Sequence, residues 1–401
     1  MKIVNYIKSL NINILSCLVL VIYPILLLCL LIHYVFNFDL KILHLIIFLL
    51  GYYIANISVG VGVHRLWAHA SFKAHPIVEF LLAMFFSGTM QGPILSWVSN
   101  HIDHHSFTDT DKDPHTPLRY KSKIMGFLWS HIGWMLVGEG SFKSINRITI
   151  KKLGKNKILR FQLKYYWQCV LFMNLIFPFL LGVLLFQSAF MGYSFFLFVG
   201  LGRALQQEMT FCVNSICHFF GSQKYSAGTS RDIWWMAPFL LGENWHNFHH
   251  AFPNDYRNGS KWYHLDIHKW IIYSLKLVGL AWDLKITQKE RINSRVSQLV
   301  KNKEQEKHKA YYKLQEKLNT LLAKVNEVIT ADYNLITKKQ NIQNIFENFK
   351  EKIFVLKKDL QNYSFKDSSS KILDSVTKKV NELEISFSQI CNKEVVTFNN
   401  V

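Results

Sequence analysis

Cysteine chemistry has almost no place in this 401-residue chain. The six cysteines, Cys17, Cys29, Cys169, Cys212, Cys217 and Cys391, lie in or beside apolar segments or in the C-terminal part, and no CxxC occurs. A disulfide framework or a thiolate metal site therefore has little support. Acidic residues are scarce, 27 against 46 Lys+Arg. Charge of either sign is missing altogether from residues 9–38 and 42–62. Each run exceeds the roughly 20 residues with which a helix crosses a bilayer, so a purely soluble core is excluded. The first run follows Lys2 and Lys8, as in a signal peptide. Its apolar part is longer than the about 7–15 residues of a signal-peptide core, and no small-residue cleavage site follows, so it is expected to stay as a membrane helix.

Much of the formal net charge of +19 sits between His64 and Lys164, densest from Lys143 onward. The positive-inside rule puts that region in the cytoplasm. Topology and anionic lipid account for this charge, as would attraction of an anionic substrate or an acidic redox partner. No nucleic acid is required.

In chain order, a first span is expected at about 12–35, where Pro24 is a kink that a membrane helix tolerates. A tight turn at Asn37-Phe38-Asp39 leads into a second span, about 41–63, which delivers His64 to the cytoplasmic surface. Residues 76–95 are apolar but carry Glu79, Ser87, Thr89 and Gln91 between Pro76 and Pro93. That density of polar groups predicts an interfacial or re-entrant segment. A break at Gln187–Gly192 divides the next apolar stretch into a hairpin, 167–186 and 190–213, with both ends cytoplasmic. Its second arm carries Arg203, Gln206, Gln207, Glu208 and Asn214, which should face an interior cavity rather than lipid.

After Trp282 the composition shifts to Lys, Asn, Gln and Glu. Apolar residues recur at spacings of three and four, as in Leu314, Leu318, Leu321 and Val325, then Ile342, Ile345, Phe349, Ile353, Leu356 and Leu360, then Leu373, Val376, Val380, Leu383 and Phe387. This is the pattern of a coiled coil or helical hairpin. A break is expected at Ser364–Ser370. The predicted architecture is an all-α integral membrane protein: four transmembrane helices in two hairpins, a cytoplasmic helical cap within residues 1–284, and a helical, Lys-rich tail over 285–401. The tail shows no chemistry of its own, so a solvated appendage is expected, with partner docking or oligomerisation the other reading.

Chemistry concentrates in histidine. Three short boxes, His64-Arg-Leu-Trp-Ala-His69, His101-Ile-Asp-His104-His105 and His246-Asn-Phe-His249-His250, hold eight of the 17 histidines. In a helix His246 and His250 are one turn apart with His249 beside them, so three imidazoles share a face. His218 emerges on the same side of the membrane, one turn beyond Asn214. A lone histidine is commonly structural, yet this one is placed to be a ninth ligand. Neutral imidazoles without thiolates suit Fe, Zn, Cu or Ni rather than Mg or Ca. More than six of them exceed one octahedral ion, which implies two metals. A dinuclear zinc hydrolase would more often mix in carboxylates and sit in water. At the mouth of membrane hairpins the expected substrate is a lipid chain, and iron with O₂ attacks an unactivated C–H bond where zinc does not. Asp109, Asp111 and Asp113 either orient box imidazoles or are simply turn residues.

These segments resemble the membrane-bound fatty acyl desaturases, particularly the stearoyl-CoA desaturase-like Δ9 enzymes, over about residues 10–285. The matching stretches, in order, are Gly62-Val-His-Arg-Leu-Trp-Ala-His69, Asp113-Pro-His115, Asn214-Ser-Ile-Cys-His218, Gly242-Glu-Asn-Trp-His-Asn-Phe-His-His-Ala-Phe-Pro253 and Gly279-Leu-Ala-Trp-Asp283. The resemblance implies a non-haem di-iron enzyme in the bacterial inner membrane or the endoplasmic reticulum, with both termini cytoplasmic. Such an enzyme inserts a cis double bond, using O₂ and two electrons from a separate carrier. It further implies that His64, His69, His101, His105 and His249 hold one Fe²⁺, that His104, His218, His246 and His250 hold the other, and that Asn214 holds a water on the second. Trp97 and Thr210 fall where the family bends its substrate tunnel. Phe48 and Tyr52, on a span that lines the acyl pocket in this family, are candidates for its floor or ordinary packing residues.

One departure bears on the substrate. Between His101 and His104 many acyl-CoA enzymes have an arginine, whereas this chain has Ile102 and Asp103. The expected substrate is a fatty acyl thioester, acyl-CoA first, with acyl-ACP and phospholipid left open. No His-Pro-Gly-Gly of a fused cytochrome b5 occurs, so a separate cytochrome b5 or ferredoxin with its reductase is the expected donor. Two other readings stand beside the desaturase: a related di-iron lipid hydroxylase or alkane monooxygenase, and a non-enzymatic membrane metal-binding or scaffold protein.

Overall fold

The computed structural model describes residues 11–138, 145–330, 336–363 and 371–398. The chain divides into two compact units, Met1–Asn293 and Ser294–Val401. The first begins with α1 (Ile14–Asn37) and α2 (Ile42–Ala68), both long and apolar enough to cross a membrane. α1 is π-wound over Leu18–Ile22, just ahead of Pro24. Proline has no N–H to donate and its ring crowds the carbonyl one turn back, and a wider π-turn relieves both. The turn between α1 and α2 is pinned by Tyr34, whose hydroxyl lies 3.0 Å from His44 Nε2 and 3.0 Å from Ser194 Oγ.

α3 (Pro76–Gly88) is apolar but too short to span. It ends in an irregular loop with positive φ at Met90 and Gly92, after which α4 (Ile94–Phe107) begins. Two short basic helices, Arg147–Leu153 and Lys157–Lys164, lead into α5 (Tyr166–Phe186), the third helix of membrane-spanning length and composition. α5 repeats the device of α1, with a π-wound stretch Phe172–Ile176 ahead of Pro178. α6 (Ala189–Asn214) returns from it. As expected from the sequence, α6 buries Arg203, Gln206 and Gln207. Their use is specific. Arg203 donates to the Met173 carbonyl within the π-wound stretch and to Asn174 Oδ1 (3.1 Å). Gln207 Nε2 donates to Thr89 O (3.1 Å) in the irregular loop. The Tyr166 hydroxyl accepts from Gly92 N (3.0 Å), and Gln162 Oε1 accepts from Ile94 N (3.1 Å). Irregular backbone survives in an apolar setting when protein side chains satisfy it.

α2 and α6 cross at very close range. A Cβ on Gly202 would lie 2.2 Å from Phe48 O, and one on Gly51 would lie 2.7 Å from Val199 O. Small residues at the crossing let the two backbones touch. After α6 the main helices of this unit are α7 (His246–Ala251) and α8 (Ile267–Leu277). A two-residue antiparallel pairing, β1 (Lys73–Ala74) with β2 (Ala281–Trp282), ties the chain beyond α8 back to the entry of α3. This pairing and isolated bridges are the departures from an all-helical unit among the described residues.

The second unit is helical: the greater part of α9 (Lys289–Thr330), α10 (Ile336–Gln361) and α11 (Lys371–Phe398). Leu314, Leu318, Leu321 and Val325 form its core with residues of α10 and α11. In α10 the buried register is Phe346, Phe349, Ile353, Leu356 and Leu360, whereas Ile345 is 41% exposed. The spacing of three and four was legible, but adjacent apolar residues left the start of the stripe one position off. Ile342 and the expected break at Ser364–Ser370 lie outside the residues whose side chains are described.

Gly202→Ala should cost about 1–3 kcal/mol, as overpacking of a tight contact does. Thermal unfolding of the detergent-solubilised protein measures it; an unchanged transition would refute the close α2–α6 crossing.

Candidate metal centre

The first box reaches one face by a route that α-helical geometry forbids. His64 and His69 are five residues apart, which on an α-helix would splay them widely. The last part of α2, Ser58–Ala68, is π-wound, and His69 N donates to His64 O at 3.1 Å, an i to i+5 bond. At that winding, positions five apart share a face. α4 supplies the second box: His101 and His105, one turn apart, point to one cluster and His104 to the other. α7 supplies the third and is likewise divided. His249 Nε2 lies 3.0 Å from both His64 Nε2 and His105 Nε2, whereas His246 and His250 approach His218 and His104. The three imidazoles of this box thus serve two clusters.

Two groups of converging ring nitrogens result, each with its nitrogens within 4.8 Å of one another: His64, His69, His101, His105 and His249, and His104, His218, His246 and His250. Neighbouring Nε2 atoms are 2.7 Å apart for His69 and His101, 3.0 Å for His218 and His246, and 3.2 Å for His104 and His250. Two nitrogens bound at about 2.1 Å and right angles are about 3.0 Å apart, against about 3.4 Å in a tetrahedron. Nitrogens this close can share one ion. Burial, and then the neighbouring imidazoles, hold His69, His101, His104, His105, His246, His249 and His250 well below the usual histidine pKa, and His218 is pushed down to about 3. Neutral rings present lone pairs, as metal ligation requires. The donor set therefore fits metal ions.

Outer groups orient these rings. His104 Nδ1 donates to Asp113 Oδ1 at 3.0 Å. His218 Nδ1 meets Thr229 Oγ1 at 2.7 Å, and the Thr229 hydroxyl donates to Asp109. Of the three loop aspartates, then, Asp113 acts directly and Asp109 through Thr229, while Asp111 is exposed. Glu243 Oε2 lies 2.8 Å from His64 Nδ1 and accepts from Asn258 Nδ2 at 2.8 Å; its Oε1 accepts from Arg65 and His268, each at 3.0 Å. Burial alone would raise the Glu243 pKa, but His64 and Arg65 beside it hold it well below the carboxylate range. Arg65 also pairs with Asp266 at 3.0 Å. Asp232 Oδ1 accepts from Asn247 N (2.8 Å) and Phe248 N (3.2 Å) at the start of α7.

Sequence reasoning missed Glu243, His268, Asp266, Thr229 and Asp232. Glu243 carried a signal, since it lies three residues before His246 in the same stretch. The others are distant in sequence and carried none.

A cavity of about 50 Å³ adjoins the clusters, bordered by Trp97, His101, His115, Thr210 and Asn214 among others. Trp97 stacks on His101 with ring centroids 4.9 Å apart. The structure thus gathers Trp97, Thr210 and Asn214 around one space. Phe48 and Tyr52 are elsewhere. Phe48 lines an apolar groove of about 550 Å³ between α1, α2 and α6, and the Tyr52 hydroxyl donates to Phe239 O at 2.7 Å.

The family model described as fatty acid desaturase matches residues 41–276. Acyl-CoA desaturase 1 of Saccharomyces cerevisiae is 38% identical over 248 residues, 61% of this chain and 47% of the relative. A probable acyl-CoA desaturase of Schizosaccharomyces pombe is 36% identical over 252 residues, 62% and 50% of the two chains. Delta-9 acyl-lipid desaturase 1 of Arabidopsis thaliana is 36% identical over 241 residues, 59% and 74%. The matches span about half the length of the two fungal relatives.

Asp113→Asn should lower metal affinity about 10–100-fold, the usual effect of losing a carboxylate behind a ligating histidine. Asp111→Asn should leave it unchanged. Metal content of the two purified variants decides, and equal loss in both would mean that the loop acts only as a turn.

Proposed function

Because the chain belongs to the fatty acid desaturase family, we propose that it inserts a cis double bond, at Δ9, into a saturated fatty acyl chain. The observation that carries this reading is the pair of all-imidazole clusters set at the end of a helix of membrane-spanning length. In this reading α1, α2, α5 and α6 are four spans, both termini and the clusters are cytoplasmic, residues 1–284 form the desaturase domain and 285–401 a helical tail. His64, His69, His101, His105 and His249 hold one iron and His104, His218, His246 and His250 the other, with Asn214 holding a water. The two irons, once bound, supply O₂ activation strong enough to remove hydrogen from unactivated methylenes, with two electrons from a separate carrier.

The protein's own residues do the rest. Asp113 keeps the His104 proton on Nδ1, which leaves Nε2 free to ligate. Trp97, fixed against His101, and Thr210 border the space beside the clusters and, following the family resemblance, are assigned to the bend of the acyl path. A bend at a fixed distance from the headgroup selects one C–C bond by position. Tyr52 and Phe48 lie away from that space, and of the two roles open to them ordinary packing is the one assigned. The carrier is assigned as acyl-CoA, in keeping with the names of the two fungal relatives. Asp103 accepts from Asn146 Nδ2 at 3.1 Å and does not contact the phosphate in this reading, which assigns that contact to the basic stretch 143–164.

The test is lipid profiling with double-bond localisation in cells lacking their own Δ9 desaturase and expressing this chain. New Δ9 monoenes are expected, first in the acyl-CoA pool. First appearance in phospholipid would reassign the carrier, and oxygenated chains would replace the desaturase by a hydroxylase. His249→Ala and His250→Ala should each abolish product and lower bound iron while the protein stays membrane-inserted; activity retained in both would sink the ligand assignment.

A further inference from the structure

The outer face of α8 is unlike a cytoplasmic surface. Trp270 and Tyr273 are 46% and 47% exposed, and Leu277 and the adjoining Val278 are 70% and 69% exposed. At steps of three, four and one, these residues form one stripe. The opposite face is docked: the His268 ring lies against the bare backbone of Gly60, where a Cβ would come within 2.0 Å of it. Ile271 and Leu275 pack on the core cluster that contains Val59 and Val61.

Gly60 sets the depth. It lies about 27 Å along α2 from Ile42 at about 1.5 Å per residue, within the roughly 30 Å of a hydrocarbon core. Other elements of this unit clasp the same helix just below it, where Tyr52 Oη and Asn56 Nδ2 donate to Phe239 O at 2.7 and 2.8 Å. That short segment exposes Trp234, Trp235 and Phe239 by 76%, 50% and 48%. Tryptophan and tyrosine favour the membrane–water boundary, and Lys276, next to the stripe, has a stem long enough to reach the headgroups.

We propose that the outer face of α8, with the Trp234–Phe239 segment, is seated in the boundary between phospholipid headgroups and acyl chains. Lipid, not water, then covers Trp270, Tyr273, Leu277 and Val278. The helix so held carries His268, whose Nδ1 donates to Glu243, the carboxylate behind His64. Seating in the membrane thereby positions one of the cluster histidines. The proposal rests on α2 being a span and is independent of the reaction assigned.

The experiment uses the full chain in nanodiscs of phosphatidylcholine brominated near the carbonyl end of its acyl chains. Subtracting the fluorescence of Trp270→Phe isolates the Trp270 signal, and Trp167→Phe, at the start of α5, gives a reference. Quenching of both signals by bromolipid, and little by aqueous iodide, is expected. Bromolipid quenching of Trp167 with iodide quenching of Trp270 would overturn the seating and leave the spans intact. Iodide quenching of both would overturn the seating and the spans together.

Discussion

Glu243 is the group on which the rest of the unit depends. A carboxylate buried without partners is costly, and removing one partner of a buried pair typically costs about 3–5 kcal/mol. Glu243 is satisfied by His64 and Arg65 from α2, His268 from α8 and Asn258 from the loop between α7 and α8. Those groups meet only when α8 and the loop before it have packed against α2. The same contact that neutralises the carboxylate therefore sets the His64 ring, and through it the first histidine cluster. Asp266 extends the arrangement by sharing Arg65 and by accepting from the backbone N–H groups of Asn258 and Gly259.

Local winding is the second constraint. Where α1 and α5 are π-wound, proline follows and explains the change; where α2 is π-wound, no proline is present and the result is a pair of histidines on one face. Wider turns free carbonyls, and a freed carbonyl needs a donor. Arg203 supplies one at Met173, and this gives a polar residue on an apolar helix a structural duty. The polar face of α6 performs two tasks at once: Arg203 and Gln207 hold irregular backbone, whereas Thr210 and Asn214, further along, border the space beside the clusters.

The chemistry of the centre follows from what surrounds it. Two clusters of imidazoles, with carboxylates hydrogen-bonded behind them, make a centre whose nitrogens could hold metal ions. The aspartate and glutamate act by fixing which ring nitrogen keeps its proton. The first box stands at the end of a helix of membrane length, where His64 and His249 are buried.

By itself the sequence determined the helical class, the membrane-length runs, the three boxes and the polar face of α6, because each is written in local periodicity or in the absence of charge. Close spacing within His246–His250 made a candidate metal site legible for the same reason. Only the tertiary structure decided that His268 and Asp266 stand behind the first box, and that Phe346 rather than Ile345 enters the core of the second unit. The physical reason is range. Periodicity fixes which residues share a face, but a buried carboxylate selects its partners by proximity after folding, and those partners come from segments whose spacing in the chain carries no trace of the contact.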